Sequence, residues 1–281
     1  MSKVIACIET DNRSAKAVCD YASWASATLD APLCFLHILE KSEQPPGVDL
    51  SGNIGPDEQQ NLLQELVAIE EQRSRLMRQQ GRMLLDQAVQ RAQQQHQVKA
   101  ISLQRLGPLL ESLSELESDT RLLVIGRKGS QADNLIGANV ERVIRAQHKP
   151  ILISIGEYRQ PTSCLIAYDG SATGNKLIEM IAASPLLKGM HCTLLMVGAE
   201  TDALRDQLAS ASQRLSETGH QVDSQLVAGD VEATISKTME SSQANLLVMG
   251  AYGHSRIRQW LVGSTTTRLL QTSTVPVLIL R

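Results

Sequence analysis

Aromatic side chains are almost missing from this sequence, with one Phe, two Trp and four Tyr among 281 residues. So few rings cannot build the stacking platform that holds single-stranded nucleic acid, and the core must be aliphatic. An excess of one charge is missing too. The 27 Lys and Arg stand against 30 Asp and Glu, and the net charge of -3 leaves no electrostatic footprint for nucleic acid. The five cysteines, Cys7, Cys19, Cys34, Cys164 and Cys192, form no C-x-x-C pair and sit in apolar segments. There cysteine behaves as a small hydrophobe, and a reducing cytoplasm is the expected location. Long apolar runs are absent, and the opening "MSKVIACIETDNRS" shows no charged region followed by a longer apolar one. Neither export nor a membrane span is expected.

Catalytic signatures are missing as well. No G-x4-G-K-[ST] loop is present, so P-loop phosphate chemistry lacks its lysine and its metal-binding hydroxyl. H-E-x-x-H is absent, and His37, His96, His148, His191, His220 and His254 are scattered without metal-ligand spacing. The expectation is a protein that is not an enzyme, with slow hydrolysis of a bound nucleotide left open and no metal site assigned. His37, within apolar "FLHIL", reads as a core or strand-end histidine, and Asp230 in "VAGDVEA" reads as a helix cap.

What the chain does have is one unit written twice. "LLVIGRKGS" (Leu122 to Ser130) matches "LLVMGAYGH" (Leu246 to His254). "LIGANVERVIRAQHKPILIS" (Leu135 to Ser154) matches "LVGSTTTRLLQTSTVPVLIL" (Leu261 to Leu280) without a gap. The openings correspond too, "KVIACIETDNRSAKAVCDYA" standing to "SCLIAYDGSATGNKLIEMIA" as apolar strand, polar turn and amphipathic helix. Each half alternates short apolar strands with helices, the pattern of a parallel sheet covered on both faces. The sequence therefore predicts two α/β domains, 1–155 and 163–281, joined by the polar linker 156–162, "GEYRQPT". Pro150 and Pro276 each open a final strand, and a final strand left at a sheet edge invites pairing with its counterpart. The halves are expected to pack as a pseudo-dimer.

An insertion at about 41–95 sets the first copy apart. "EKSEQPPGVDLSGNIGPDEQQ" reads as loop. From about Asp57 to Gln95 runs a polar stretch with Leu62, Leu66, Ile69, Leu76, Leu84 and Val89 at roughly helical spacing, and Gly81 is expected to interrupt it. A cover helix with a solvated face and a partner-binding arm both fit this pattern.

The chemistry concentrates in "GAYGHSRIRQWLVGS", Gly250 to Ser264. Gly250 closes a strand at the carboxyl edge of the sheet, where ligands bind in open parallel sheets. Gly250 and Gly253 permit close backbone approach, so that successive N–H groups form an anion-binding concavity. Gly263, Ser264 and Thr265 then open a helix whose free N–H groups and positive dipole end attract phosphate. Asp169 in "AYDGS" and Val197, at the end of the second strand, reach the same edge. His254 is the one histidine placed near a nucleotide.

Together, the "IAYDGS" turn, a fourth strand ending in glycine, and Gly250, Gly253, Gly263 and Ser264 in a G-x2-G-x9-G-S pattern resemble the universal stress protein family. The resemblance spans both halves and implies two tandem Rossmann-like (adenine nucleotide alpha hydrolase-like) domains. Each would be a five-stranded parallel sheet of order 3-2-1-4-5 with helices on both faces, with dimerisation through the fifth strand. It implies ATP, with Mg2+ an open question, held in the second domain as a regulatory or signalling nucleotide, alongside homo-oligomer or protein partners. By matching position, Ala167, Tyr168 and Asp169 would lie by adenine and ribose, and the Val197 backbone would read adenine. Met249, Gly250, Gly253 and His254 would line ribose and phosphates, with Gly263, Ser264 and Thr265 cradling the phosphates.

The first copy departs from that pattern. Alignment of the first strands sets Ile8 against Asp169; seven residues instead of nine separate Gly129 from Gly137; and Ala138 and Asn139 replace Ser264 and Thr265. No ATP is expected there, and the first half is expected to be structural or partner-binding. Arg127 and Lys128 in "GRKGS" are read as solvated loop charges, with a different anion as the alternative.

Overall fold

The structure is a computed structural model that describes residues 2–9, 12–40, 56–127, 138–250 and 264–281. The first half runs β1 (Lys3–Cys7), α1 (Asn12–Leu29), β2 (Leu33–Leu39), α2 (Pro56–His96), β3 (Ala100–Leu106), α3 (Leu109–Leu116), β4 (Thr120–Gly126), α4 (Ala138–Ala146) and β5 (Ile151–Ser154). The second runs β6 (Ser163–Ala167), α5 (Ala172–Ala182), β7 (His191–Val197), α6 (Asp202–Glu217), β8 (Gln221–Val227), α7 (Val231–Ser241), β9 (Leu247–Gly250), α8 (Ser264–Thr272) and β10 (Val277–Leu280). None of the described helices is long and apolar enough to cross a membrane.

The described strands form one ten-stranded sheet in the order β3-β2-β1-β4-β5-β10-β9-β6-β7-β8. Within each half every pairing is parallel. The halves join through a single antiparallel pair, with Val277 opposite Ile153, Leu278 opposite Leu152 and Ile279 opposite Ile151. Neither fifth strand is left as an edge, which removes the unpaired N–H and C=O groups that would template association. The fully buried strand residues explain the near-continuous apolar runs of the sequence.

Two aliphatic layers cover the sheet, and each passes unbroken from one half into the other. On one face Val4, Phe35, Val124 and Leu152 of the first half share a core with Ile166, Leu194, Val248 and Leu278 of the second, under α1, α2, α5 and α6. On the other face Ile5, Leu123 and Ile153 share a core with Leu165, Leu247 and Ile279, under α3, α4, α7 and α8.

Gly81 does not interrupt the insertion. A single 41-residue helix, α2, passes straight through it. The glycine is needed for close approach instead: a Cβ at position 81 would lie 2.4 Å from the His37 ring and 2.2 Å from the Gln104 amide. Gly81, Leu85, Ala88 and Ala92 form the stripe that α2 buries. Its C-terminal end is fixed by charge. Arg91 donates from Nε to Asp20 Oδ1 at 2.8 Å and from Nη2 to Oδ2 at 2.7 Å, and His96 Nε2 lies 3.1 Å from Oδ1. Tyr158 of the inter-half segment closes this corner edge-on to both Tyr21 and His96.

Candidate functional site

The crevice to consider lies where the strand order reverses in the second half, between β6 and β9. β6 sits between β7 and β9, so Ala167, Val197 and Gly250, the last residues of these three strands, meet at one carboxyl edge. α8 links β9 to its parallel neighbour β10 and must run back antiparallel to both, so its N-terminus at Ser264 opens on the same edge. That terminus supplies unsatisfied N–H groups and the positive end of the helix dipole. Ser264 and Thr265 are the first two residues of α8, Thr265 is half-buried, and the next hydroxyl, Thr266, is buried. Gly253, His254 and Gly263 lie outside the described residues.

The turn after β6 is built around Asp169. Its Oδ1 accepts from the Ser171 backbone N–H at 3.0 Å and from Ser171 Oγ at 2.6 Å, while Ser171 Oγ caps α5 by accepting from Gly174 N at 3.0 Å. The other carboxylate oxygen makes no hydrogen bond to any described residue. Gly170 holds a φ of +71°, which an L side chain rarely adopts. The Tyr168 ring is a core side chain, its hydroxyl donating to Asn175 Oδ1 at 2.6 Å, and the Met249 side chain belongs to the opposite core layer.

Gly174 escaped the sequence reading. A Cβ there would lie 2.5 Å from Asp169 Oδ1 and 3.1 Å from the Tyr168 ring. Its bareness lets the first turn of α5 close on the Asp169 turn and leaves no side chain from that position over the strand ends. The repeat itself carries the signal, because the position of Gly174 is Ser14 in the first copy. There Ser14 points its hydroxyl at Gly126, the counterpart of Gly250, so that a Cβ on Gly126 would lie 2.1 Å from Ser14 Oγ.

Strand register also corrects the alignment of the two copies. Ile8 N donates to Leu36 O as Tyr168 N donates to Leu195 O, and Ile5 and Ala6 pair with Leu123 and Val124 as Leu165 and Ile166 pair with Leu247 and Val248. Ile8 is therefore the counterpart of Tyr168, and Glu9, not Ile8, stands where Asp169 stands. The first half keeps a carboxylate at this edge. Burial pushes the neighbouring Cys7 thiol up to about 12, with the Glu9 charge adding to the effect.

Arg127 is not a solvated loop charge. Its Nη1 donates to the carbonyls of Leu270, Gln271 and Ser273, at the C-terminal end of α8 in the other half. Burial lowers the pKa of this guanidinium from its ordinary value, and it remains charged at neutral pH. Arg281 does the reverse, donating to Ile144, Arg145 and Gln147 carbonyls at 3.4, 2.7 and 3.0 Å, at the end of α4. Each half thus caps the last helix of the other with a cation at its negative end. Lys128 lies outside the described residues. His37, as expected, is a core residue with Nδ1 at 2.7 Å from Ile8 O, and Asp230 caps α7 through Ala233 N at 3.0 Å.

Comparison with known proteins agrees with this fold and its duplication. The model of the "Universal stress protein family" matches residues 1–154 and again residues 162–281. The chain is 32% identical over 269 residues to universal stress protein Slr1230 of Synechocystis, covering 93% of each chain. Among solved structures it superposes on a universal stress protein from Archaeoglobus fulgidus DSM 4304 with a TM-score of 0.71 at 16% identity, covering 99% of this chain and 98% of that one. A functionally unknown protein from Pseudomonas aeruginosa PAO1 follows with a TM-score of 0.60 at 16% identity, covering 100% and 92%. This chain belongs to the universal stress protein family and carries the family's unit twice.

Proposed function

We propose that the second half binds ATP at the carboxyl edge of β6, β7 and β9 as a regulatory ligand, and that the first half binds no nucleotide. The observation that carries this reading is the difference at one position of the repeat: the bare Gly174 lets the start of α5 close on Asp169 and Tyr168, whereas Ser14 puts its hydroxyl against Gly126 in the first half. Backbone at Ala167 and Val197 would face adenine, the second oxygen of Asp169 would accept from ribose, and the α8 N-terminus with Ser264 and Thr265 would take the phosphates. Gly253, His254 and Gly263 join the site by sequence pattern, and their spacing is what the resemblance to motif-bearing members rests on. Binding is assigned to the site and turnover is not: occupancy would bias a conformation or an assembly.

Calorimetric titration of the purified chain with ATP tests the reading. One site per chain is expected, and no heat at millimolar ATP would sink it. Mass spectrometry of gently denatured protein adds an independent count of co-purified nucleotide, expected not to exceed one per chain. A Gly263→Val, Ser264→Glu double variant should lose binding while keeping its fold.

A nucleotide-independent scaffold is the second reading, favoured by the apolar side chains that α2 exposes, Leu66, Val67, Ile69, Leu76 and Met83. Partner binding that persists undiminished in the same double variant would support it.

A further inference from the structure

Strand register brings two cysteines of the second half together. Cys164 of β6 and Cys192 of β7 are direct partners in the parallel pairing, both are free thiols, and Cys164 Sγ donates to Cys192 Sγ at 3.2 Å. Neighbouring strands run about 4.8 Å apart, inside the Cα separation of about 4.4–6.8 Å that a disulfide spans. The first half has no such pair. By the same register Cys164 stands where Val4 does, and Cys192 where Leu33, the partner of Val4, does. Val4 and Leu33 show that the core asks only for apolar bulk at these positions, so the two thiols are not a demand of the fold.

Their shared hydrogen bond makes the two sulfurs unequal. Donation from Cys164 lowers the pKa of the Cys192 thiol from its ordinary value, against burial, whereas the same bond raises that of Cys164, with burial adding to it. The thiolate is the nucleophile, so Cys192 is the one set to attack. Both side chains are buried, but each stands second in its strand, one residue from the amino edge of the sheet, where the His191 side chain is 53% exposed. Cys192 Sγ lies 3.7 Å from Met190 O, in the connection 188–190, of which Lys188 and Gly189 are exposed. Opening of that short connection is a local event that leaves the strand pairs intact.

We infer that Cys164 and Cys192 are a peroxide-responsive dithiol that closes a reversible disulfide between β6 and β7, independently of nucleotide binding. The Cys192 thiolate attacks a peroxide oxygen, the O–O bond breaks, and Cys192 becomes a sulfenic acid as water leaves. Cys164 then attacks that sulfur: the S–S bond forms, the S–O bond breaks, and the departing hydroxyl leaves as water with the Cys164 proton. Two electrons pass from the thiols to the peroxide, and a dithiol reductant returns them.

Hydrogen peroxide treatment of the full-length chain is the test, read by alkylation of the remaining thiols under denaturing conditions, trypsin digestion and mass spectrometry. A peptide linking Cys164 to Cys192 should appear and should vanish with dithiothreitol, while Cys7, Cys19 and Cys34 stay open to alkylation. Recovery of both thiols in reduced form overturns the inference, and so does a link from either to another cysteine in place of this one. The rate of bridging should be almost flat in urea below the unfolding transition. A rate that climbs with urea as global unfolding does means that only the unfolded chain is oxidised, and overturns the inference too. In Cys192→Leu, which carries the residue of the first half, Cys164 should be oxidised about tenfold or more slower than the wild type is bridged. Oxidation of Cys164 in that variant at the wild-type rate overturns the order of attack.

Discussion

The two halves share a strand frame and differ in what reaches the strand ends. In the first, α1 sends Ser14 Oγ onto Gly126, and α2 lays Gly81 directly over His37. In the second, the matching first turn carries Gly174, and the helix between β7 and β8 is the 16-residue α6 in place of the 41-residue α2. Both copies keep the glycine that ends the fourth strand and a carboxylate after the first, Glu9 and Asp169. Those features are therefore part of what the fold asks for and cannot by themselves mark a ligand site. What separates the halves is Gly174 in the place of Ser14 and the hydroxyl-bearing helix start at Ser264 and Thr265.

The largest break in that comparison is expected from Asp20→Ala, which attacks a feature the second half lacks. Asp20 is buried and takes both Arg91 and His96, so its loss strands two donors at the seat of α2. A fully buried pair costs roughly 3–5 kcal/mol to break, but Arg91 keeps 35% of its side chain exposed and the expected loss is about 2 kcal/mol. Urea unfolding measures it. An unchanged midpoint would show that α2 is held by its apolar stripe alone.

Next comes the exchange at the repeat's divergent position. Gly174→Ser sets a Cβ against Asp169 Oδ1 and the Tyr168 ring, and should weaken ATP binding by about tenfold or more while costing about 1–3 kcal/mol of stability. Ser14→Gly should not create binding in the first half, because Ala138 and Asn139 still stand where Ser264 and Thr265 do. Calorimetry on both variants checks the pair, and a second ATP site in Ser14→Gly would mean that the crevice alone suffices.

Much of this could be read before any coordinates. The duplicated runs "LLVIG" and "LLVMG", with the apolar strands around them, fixed two parallel α/β units, because strands buried on both faces leave continuous apolar runs. Asp230 as a cap and His37 as a core residue were legible from their immediate neighbours. Beside Gly174, three things were not. Gly81 looked like a break because composition records only its low helix propensity, whereas its use lies in a contact with His37 and Gln104. Arg127 looked like a loop charge because its partners, the carbonyls after Leu269, lie more than 140 residues away. Ile8 in the place of Asp169 is one residue early, because an apolar run fixes a strand's existence better than its end; hydrogen-bond register sets Glu9 there.

The reciprocal arginine caps offer a finer test. Arg127→Met and Arg281→Met each free carbonyls at a helix C-terminus and should cost about 1–2 kcal/mol. Their consequences should differ by half. Arg127 holds the far end of α8, the helix whose N-terminus is proposed to take phosphate, so its loss should weaken ATP binding by a few-fold, roughly the size of a helix-end electrostatic effect. Arg281 holds α4, where no nucleotide is proposed, and its loss should leave the affinity unchanged. Equal effects on affinity would mean that the two caps act only through global stability.

The smallest expected effect is a pH dependence that belongs to the second half. His96 ends α2 against the Asp20 carboxylate, whereas His220, ahead of β8, is buried with no hydrogen-bond partner on Nε2 among the described residues. Its Nδ1 lies 3.1 Å from Thr218 Oγ1 and 3.3 Å from Leu215 O. Burial lowers its pKa from the ordinary 6.5, with Lys188 adding to the shift and the Leu215 carbonyl opposing it. A depressed folded-state pKa means that the unfolded chain takes up the proton first as pH falls. The stability tied to His220 is therefore present above 6.5 and is lost as pH drops from there toward the folded-state value. The loss should be about 1 kcal/mol or less, and His220→Leu should flatten that part of the curve of urea midpoint against pH. A variant that keeps the wild-type slope would place the acid sensitivity elsewhere, and the contrast between a histidine given a carboxylate and one given none would then carry no energetic weight.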